Sequence, residues 1–280
     1  MRTLDVKEIA DAVAKMAKQT NHFLSQDVKR AIEERTMNEP WPVAKGVLEK
    51  IQENITIAGE GGFPLCQDTG MACVFLEIGQ EVHLTGGDIT DAVNDGVRRG
   101  YQEGFLRKSV VRDPLRRENT GDNTPARIHY EIVPGDKVKV TFAPKGFGSE
   151  NMSQIKMLAP SAGAGGVKDF IIKACEEAGA NPCPPIVVGV GIGGTFDQVA
   201  LMAKEALLIP LDQSNADPFY AEMEQELLSR INALGIGPQG FGGETTALAV
   251  KIKIAPTHIA GLPVAVNVNC HVSRHAEIIL

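Results

Sequence analysis

The spacing of apolar side chains predicts a mixture of helices and strands along the whole chain. Apolar residues recur every three to four positions over residues 5–19, which is typical of an amphipathic helix. The same spacing, with capping residues, predicts further helices after Ser25 and over residues 42–53, 89–103, 166–178, 196–208 and 217–233. Short apolar runs predict strands over residues 71–78, 127–133, 137–143, 186–190, 246–254 and 262–269. Glycine-rich segments over residues 58–70 and 146–154 are predicted to be loops.

The order of these elements predicts the class of fold. Strands and helices are mixed, but they do not alternate as a repeated strand–helix–strand unit would. Residues 127–133 and 137–143 are predicted to pair with each other around the turn Pro134–Asp136. We therefore predict a mixed α/β fold with an α+β tendency. A helical N-terminal part would precede mixed sheets packed with helices, with glycine-rich loops around a site.

Size and composition limit the kind of protein. The chain has 280 residues, of which 43% are hydrophobic, so it can bury a core at the upper end of single-domain size. We predict one domain over residues 1–280, built as one body or as two tightly packed lobes. The net charge is -7 and no block of basic residues occurs, which argues against nucleic-acid binding. The chain has no apolar run long enough to span a membrane and no resemblance to a secretory signal, so we predict no membrane insertion. Its odd number of cysteines argues against a disulfide framework, so we predict a reducing, cytoplasmic location.

Three of the five cysteines lie in turn-like segments beside polar residues: Cys66 in P-L-C-Q-D-T-G, Cys183 in N-P-C-P-P and Cys270 in V-N-C-H-V-S-R-H. Structural cysteines are usually buried on apolar faces, whereas a turn can direct a thiolate into a cavity. Three converging thiolates would suit a metal or an iron–sulfur cluster with one open position. Their separations of 117 and 87 residues match no local cluster motif, so spacing alone favours three buried thiols. Cys73, in a predicted strand, and Cys175, in a predicted helix, are expected to be core residues.

Polar residues elsewhere offer acid–base and carboxylate-binding chemistry. Asp68 could act as a general base or hydrogen-bond a metal-bound hydroxyl, or it could simply close an Asx turn. Arg107 could bind a carboxylate in bidentate fashion or be a solvated surface residue. His258 is one of three histidines near the C-terminus, and a single histidine is more often structural than catalytic. A G-x-G-x-x-G match at residues 189–194 is a weak dinucleotide signal, and close helix–strand packing is its favoured explanation.

Seven motifs together resemble one family. They are P-L-C-Q-D-T-G, L-R-K-S-V-V, E-N-T-G-D-N-T-P-A, K-G-F-G-S-E-N, N-P-C-P-P, G-I-G-G-T and P-T-H-I-A-G-L-P-V-A-V-N-V-N-C, in this order over about residues 60–275. The chain resembles the class I, iron–sulfur-dependent fumarate hydratases. More narrowly, it resembles the alpha subunit of the two-subunit form, close kin of the L(+)-tartrate dehydratase alpha subunit. Phe147 stands where the family usually has a glycine.

The resemblance implies a site for an iron–sulfur cluster and a substrate. A [4Fe–4S] cluster would have one iron without a protein ligand, and that iron would bind substrate. The cluster ligands implied by the matching motifs are Cys66, Cys183 and Cys270. The substrate-binding positions would be Gln67, Arg107 and Gly148. The catalytic positions, near the substrate hydroxyl, would be Asp68 and His258.

The resemblance also implies an activity and a partner. The leading activity is reversible hydration of fumarate to (S)-malate, as in the tricarboxylic acid cycle; the alternative is dehydration of L(+)-tartrate or hydration of another C4 dicarboxylate. Single-chain members carry a further C-terminal domain, and this chain ends at Leu280, so we expect a separate beta subunit and a dimer of heterodimers. The cluster would act as a Lewis acid without net redox, and the general base would be Asp68 or a threonine of the beta subunit. A nucleotide-dependent enzyme and a non-catalytic iron–sulfur carrier are the other classes left open.

Overall fold

Helix α1 (Val6–His22) begins where its sequence predicts. The Asp5 carboxylate accepts a hydrogen bond from the Lys7 N–H at 2.9 Å, which satisfies one of the unpaired N–H groups at the start of the helix. The apolar face of the helix, including Ile9, is buried. The amphipathic spacing therefore identified the element correctly, although the helix extends beyond its predicted end.

The computed structural model describes residues 2–280, which divide into two compact units built from interleaved stretches of chain. The first unit contains the chain through Leu24, Ile55–Phe147 and Arg274–Leu280, and the second contains Ser25–Asn54 and Gly148–Ser273. Each unit has its own sheet and its own hydrophobic core. Neither unit is a continuous stretch of sequence, so the division is not visible from composition along the chain.

The first unit is a four-stranded sheet with two helices packed against it. Its helices are α1 and α4 (Ile89–Glu103), and its strands are β1 (Arg2–Asp5), β2 (Met71–Gly79), β3 (Val82–Thr85), β4 (Arg127–Val133), β5 (Val138–Lys145) and β10 (Ala276–Ile279). The order in the main sheet is β10-β5-β2-β4, and β1 pairs separately with β3 in parallel. Helices α1 and α4 can approach closely because Gly96 has no side chain. A Cβ at Gly96 would lie only 2.5 Å from the Ala10 carbonyl oxygen.

Strands β4 and β5 do not pair with each other, so the hairpin predicted around Pro134–Asp136 is wrong. Strand β2 lies between them, parallel to β4 and antiparallel to β5. The link from β4 to β5 crosses the end of β2, where the Gly79 N–H donates to the Lys137 carbonyl oxygen at 2.8 Å, and a Cβ on Gly79 would lie only 2.4 Å from the Gly135 carbonyl oxygen. β2 takes the centre because most of its residues are apolar and buried, as strands covered on both faces are.

The second unit is a mixed sheet with helices packed against it. Its helices are α2 (Gln26–Asn38), α6 (Gly163–Ala178), α7 (Phe196–Ala206) and α8 (Pro218–Asn232), together with most of α3 (Pro42–Gly61) and of the short α5 (Phe147–Glu150). Its strands are β6 (Gln154–Leu158), β7 (Ile186–Gly193), β8 (Ala247–Ala255) and β9 (Leu262–Asn269). The sheet order is β6-β9-β7-β8, with β7 parallel to β8 and antiparallel to β9. The mixed α/β class predicted from the sequence is confirmed.

The elements that the apolar pattern missed are short or lie in predicted loops. Strands β1, β3 and β10 have four residues each, too few to show a clear two-residue alternation. Helix α3 continues to Gly61 and so occupies part of the segment predicted as the loop 58–70. Ser25 takes the N-cap position of α2 but makes no side-chain capping hydrogen bond. Among residues 2–280, no helix combines the length and the apolar character needed to cross a membrane.

The glycines at residues 189–194 hold helix α7 against strand β7. A Cβ at Gly189 would lie 2.2 Å from the Ala203 carbonyl oxygen, and one at Gly191 would lie 2.3 Å from the Val199 carbonyl oxygen. Both contacts are with the backbone of α7, so any side chain would push the helix away from the strand. Close helix–strand packing, the favoured explanation of this motif, is confirmed, and the motif gives no support to a nucleotide site.

A buried glutamate ties the end of α2 to the loop before β8. Glu39 is 5% exposed, and its carboxylate accepts hydrogen bonds from the Trp41 and Glu244 N–H groups and from the Thr245 hydroxyl, the last at 2.6 Å. Burial acts to raise the pKa of this carboxyl, but the hydrogen bonds together outweigh burial and lower the pKa below its usual value. The ionised carboxylate therefore stabilises the second unit.

We expect Glu39→Gln to lower the free energy of unfolding by roughly 1.5–3 kcal/mol at neutral pH, because charge-assisted hydrogen bonds at a buried site are lost. The folded-state pKa lies below the usual value of 4.5, so this stabilisation is present above that pH and disappears as the pH falls through the lowered pKa. Denaturant unfolding of both proteins from neutral to acid pH measures the difference, with the exposed Glu33→Gln as the control. A difference in stability that does not shrink in acid would contradict this role for Glu39.

Candidate functional site

The loop around Cys66 lies in the first unit and fixes the Asp68 carboxylate from two sides. Asp68 Oδ1 accepts a hydrogen bond from the Gly70 N–H at 3.0 Å, and Oδ2 accepts one from the Phe147 N–H at 2.9 Å. The Asp68 N–H points to Cys66 Sγ at 3.4 Å. The first contact is the Asx turn that the sequence suggested, but the second comes from a distant part of the chain and orients the carboxylate. Both Cys66 and Asp68 remain partly exposed.

Arg107 lies next to this loop in the same unit. The Thr69 hydroxyl donates to the Arg107 carbonyl oxygen at 2.8 Å. Asn123 is fully buried and links the same two segments, because its Oδ1 accepts from the Ser109 N–H at 2.7 Å and its Nδ2 donates to the Gly70 carbonyl oxygen at 3.1 Å. The Arg107 side chain is exposed. The first unit therefore brings together four of the predicted site residues, namely Cys66, Gln67, Asp68 and Arg107.

Two buried side chains support the backbone of this loop. The Tyr101 hydroxyl is directed at the Thr69 and Gly70 carbonyl oxygens, at 2.7 and 3.0 Å. Burial raises the pKa of Tyr101, so its hydroxyl stays protonated and acts as a donor. Arg274 Nη2 donates to the Asp68 carbonyl oxygen at 2.6 Å, and the Arg274 side chain is buried. Three successive carbonyl oxygens of the loop are thus held in place.

Sequence reasoning missed Asn123, Tyr101 and Arg274. Asn123 lies in the motif E-N-T-G-D-N-T-P-A and has a φ of 63°, a left-handed value that asparagine adopts more readily than most residues. That motif was therefore a usable signal for a structural role. Tyr101 and Arg274 carried no local signal, because the loop residues that they contact lie 32 and 206 positions away in sequence.

Cys183 and Cys270 lie at the same edge of the sheet of the second unit. Cys183 precedes β7 and Cys270 follows β9, and these two strands are antiparallel neighbours. The His271 N–H donates to the Cys183 carbonyl oxygen at 3.4 Å, and His271 Nδ1 lies 3.0 Å from the same oxygen. Cys183 has a φ of 54°, a left-handed conformation that is unusual for cysteine and clusters at functional sites. Two of the three predicted ligands are therefore held close together by backbone contacts.

Gln239 joins the two segments that carry these cysteines. Its N–H and its Nε2 both donate to the Pro184 carbonyl oxygen, at 2.8 and 2.7 Å, and Nε2 also lies 3.2 Å from His271 Nδ1. Gln239 itself has a φ of 53°. Gln239 was not among the residues predicted from the sequence, although the glycines around it indicate an unusual backbone.

Gly148 lies beside the turn that leads into Cys183. A Cβ at Gly148 would be 3.6 Å from the Asn181 carbonyl oxygen, and the residue is exposed. The absence of a side chain at this position leaves the backbone near Cys183 open to close approach by another molecule.

His258 lies at the other end of the same sheet. It occupies the loop between β8 and β9, where the neighbouring Thr257 hydroxyl donates to the carbonyl oxygen of Gly194, just beyond the end of β7. The eight residues of β9, a length of about 23 Å, separate that loop from Cys270. The sequence resemblance implied that His258 lies near a substrate bound at the cluster. Within the second unit, however, His258 is remote from both Cys183 and Cys270.

Cys73 and Cys175 are core residues, as predicted. They are buried in β2 and α6, respectively, and burial raises the pKa of the Cys175 thiol to about 12, so it stays protonated and is a poor metal ligand. In residues 2–280, none of the five cysteines forms a disulfide, and neither unit by itself gathers three or more Cys, His, Asp or Glu side chains as ligands for a single metal ion. The core cysteines are therefore poorly suited to bind a metal, whereas Cys66, Cys183 and Cys270 are at least partly exposed.

Comparison with known proteins extends this picture. A family model described as "Fumarate hydratase (Fumerase)" matches residues 10–279. A protein of Methanocaldococcus jannaschii, which carries the provisional name L(+)-tartrate dehydratase subunit alpha, is 42% identical over 275 residues that cover 96% of each chain. Proteins of Escherichia coli and Shigella sonnei named L(+)-tartrate dehydratase subunit alpha are each 28% identical over 279 residues, which cover 98% of this chain and 91% of theirs. The family match includes every predicted site residue.

Proposed function

The chain belongs to the fumarate hydratase (Fumerase) family, and from this premise we propose that it is the alpha subunit of an iron–sulfur hydro-lyase acting on a C4 dicarboxylate. The observation that carries the proposal is the pairing of Cys183 and Cys270 at one sheet edge by the His271 contacts. In the other unit, the loop of Cys66 also carries the Asp68 carboxylate, and its Thr69 contacts the backbone of Arg107. Thiolates can hold a Lewis-acidic metal, a carboxylate can take a proton, and a guanidinium can bind a substrate carboxylate, so these groups together suit removal of water from a hydroxy dicarboxylate.

The proposed cluster is a [4Fe–4S] cluster with one iron that has no protein ligand. Its ligands would be Cys66, Cys183 and Cys270. Cysteine thiolates are the usual ligands of such clusters, and these three lie in turns rather than in the core. The left-handed backbone of Cys183 further supports the choice, because such strain persists where the surrounding structure has a use for it. When bound, the cluster supplies a Lewis-acidic iron that polarises substrate oxygen atoms without net redox change.

The polar residues of the chain would bind and orient the substrate. Arg107 would pair with a substrate carboxylate through its planar fork. Gln67 and the backbone at Gly148 would supply neutral hydrogen bonds. Asp68 would take or return a proton at the substrate, and its carboxylate is already fixed by two backbone N–H groups. A group that is fixed in advance loses little freedom when the substrate binds.

A separate beta subunit would complete the site. The relatives in M. jannaschii and E. coli are named as alpha subunits, which implies a partner for those proteins. We propose the same division here, with heterodimers that associate as a dimer of heterodimers. The beta subunit would add cations for the substrate carboxylates and a threonine as the alternative general base to Asp68.

L(+)-Tartrate is the substrate that the comparisons favour, ahead of fumarate and (S)-malate. The relatives are named as tartrate dehydratase subunits, whereas only the family description names fumarate. This order reverses the expectation from sequence. Dehydration of tartrate gives an enol that tautomerises to a 2-oxo dicarboxylate, whereas hydration of fumarate gives malate. A role in the tricarboxylic acid cycle would require fumarate or malate as the substrate.

Anaerobic co-expression with the beta subunit, followed by iron–sulfur reconstitution, tests the proposed function. We expect the complex to release a 2-oxo acid from L(+)-tartrate, and to hydrate fumarate more slowly, measured as loss of fumarate absorbance. The alpha chain without its partner should lack turnover. The hydro-lyase proposal would be refuted by a complex that holds a full cluster but turns over none of tartrate, fumarate and malate. Reversible reduction of that cluster would then support an electron carrier instead.

His258 could join such a site only from another copy of the chain. About 23 Å of strand separates its loop from Cys270, more than an imidazole side chain and a four-carbon substrate together can span. A catalytic role for His258, which the family resemblance implies, would therefore place it beside the cluster of a second copy.

Co-expression of two inactive variants tests this arrangement. When chains carrying His258→Ala are co-expressed with chains carrying Cys183→Ser, we expect the mixture to regain about a quarter of wild-type activity. If two copies pair at random, half of the pairs are mixed, and one of the two sites in each mixed pair has an intact Cys183 from one copy and an intact His258 from the other. Chains carrying Cys183→Ser and Cys270→Ser are the matched control, because both residues serve the same site and no recovery is expected. Turnover is measured on the purified mixed complex. No recovery in the first pair would argue against His258 acting from a second copy.

A further inference from the structure

Arg274 carries a positive charge that its surroundings satisfy only in part. Its side chain is 5% exposed, and Nη2 donates to the Asp68 carbonyl oxygen at 2.6 Å. Within residues 2–280, its Nε and Nη1 atoms have no hydrogen-bond partner. A buried guanidinium with unpaired donors is unusual, because the water that it lost on burial has not been replaced.

The contacts of Arg274 place this charge at the loop of Cys66. The carbonyl that Arg274 binds belongs to Asp68, whose carboxylate is fixed on its other side by two N–H groups. The Tyr101 hydroxyl is directed at the carbonyl oxygens of Thr69 and Gly70, the two residues that follow Asp68 in this loop. Arg274 and Tyr101 therefore act on the same short segment of backbone.

Arg274 is also close in sequence to another proposed ligand. It follows Cys270 by four residues, which span at most about 14 Å when fully extended. A residue that is bound to the loop of one proposed ligand and lies so near another along the chain is well placed to contact a group that these ligands hold.

We propose that Arg274 is a positioning residue for Asp68, and that its unpaired Nε–H and Nη1–H groups bind an anionic acceptor at the Cys66 loop. This inference rests on the proposed function. The acceptor would be either a sulfur atom of the cluster or a carboxylate of the substrate, since both present negative charge to N–H donors. Arg274 would act on the reaction through Asp68, whose backbone it fixes.

A structural role and a positioning role have opposite effects on the stability of the apo protein. When a buried charge is only partly satisfied, as that of Arg274 is by its single bond to the Asp68 carbonyl oxygen, an apolar side chain of similar volume is often neutral or stabilising in its place, because the cost of burying the charge is removed. When the charge is structural, its removal leaves its partners unpaired and destabilises the protein. Stability without the cluster, together with turnover in its presence, therefore separates the two roles.

The test compares Arg274→Met and Arg274→Lys with wild type in the alpha–beta complex, before and after cluster loading. We expect Arg274→Met to leave the apo melting temperature unchanged or higher and to lower kcat by about tenfold or more. A reduced thermal shift on cluster loading would assign the acceptor to the cluster. An unchanged loading shift with KM for tartrate raised by about tenfold would assign it to the substrate. Arg274→Lys keeps the charge and should recover part of the loss.

Arg2→Gln is the matched control, because Arg2 Nη1 also donates to backbone carbonyl oxygens in the first unit, those of Asp136 and Leu280. It should lower the apo melting temperature without changing kcat. Wild-type values of kcat, KM and loading shift in Arg274→Met would overturn the proposal, and so would losses accompanied by a lower apo melting temperature. If wild type turns over no dicarboxylate, the proposed function fails, while the melting temperatures and the loading shift still test Arg274.

Discussion

Cys183→Ser should remove both the cluster and turnover from the alpha–beta complex. A serine hydroxyl is a much weaker ligand for iron than a thiolate, so only two of the three proposed thiolate ligands would remain. Loss of the Lewis acid takes away several kcal/mol of charge stabilisation, and we expect kcat to fall by about 10³-fold or more. The fold should persist, because Cys183 is exposed and its contacts with His271 are made by its carbonyl oxygen. Iron and sulfide content, visible absorbance, circular dichroism and turnover measure the result.

Cys175→Ser is the matched control for this substitution. Cys175 is buried in α6, so a serine there should lower stability by roughly 1–3 kcal/mol while the folded protein keeps its cluster and its kcat. The pair of variants therefore separates loss of a ligand from loss of a core residue. Normal iron content in Cys183→Ser would remove Cys183 from the proposed ligand set, and loss of the cluster from folded Cys175→Ser would require a different set.

Asp68→Asn should lower kcat by about 10²- to 10⁴-fold while the cluster is retained, because proton transfer by a positioned side chain contributes about that much. Asparagine has the size of aspartate, but only one of its terminal atoms can accept a hydrogen bond. Both Asp68 oxygens accept hydrogen bonds from backbone N–H groups, those of Gly70 and Phe147. In the variant, the asparagine NH2 group would face one of these N–H groups, and two donors cannot form a hydrogen bond. The substitution therefore removes the base and loosens its orientation together.

Asp88→Asn provides a control with similar contacts. Asp88 lies in the same unit and caps helix α4, where its side chain accepts from the Thr90 and Asp91 N–H groups. We expect a small effect on stability, at most about 1 kcal/mol, and no effect on kcat, because asparagine is also a good N-cap. Full activity of an assembled Asp68→Asn complex would leave the beta-subunit threonine as the general base, and loss of iron from that variant would assign Asp68 to the cluster loop instead.

The parts of the fold that the sequence predicted are those that local forces determine. Helix α4 was predicted with its observed bounds, because Asp88 caps it and Val93 and Val97 mark its buried face. Strands β4 and β5 were found, but their partner was not, because the choice of neighbour depends on the burial of β2. That burial is a property of the whole sheet rather than of the turn between β4 and β5.

The candidate site shows the same division between local and distant information. The motif around Cys66 identified Asp68 together with its Asx turn, because that turn lies within five residues. The sequence could not show that Cys183 and Cys270 meet, because antiparallel pairing of β7 and β9 brings them together across 87 residues. Conversely, His258 is only 12 residues from Cys270 but a full strand away. Separation along the chain is therefore a poor guide to distance in space in both directions.

The position of β10 has a consequence for how this protein is made. Residues 276–279 pair with residues 139–142 of β5, so the sheet of the first unit closes only when the last strand has emerged from the ribosome. At usual rates of translation, the edge of β5 waits for that strand on the order of ten seconds, while the intervening second unit is synthesised. Arg274 belongs to the same late segment, so the loop of Cys66 also reaches its final form only then. Insertion of a cluster at that loop would therefore follow synthesis of this segment, and until then a nascent chain would need protection from oxidation and from association of its open β5 edge.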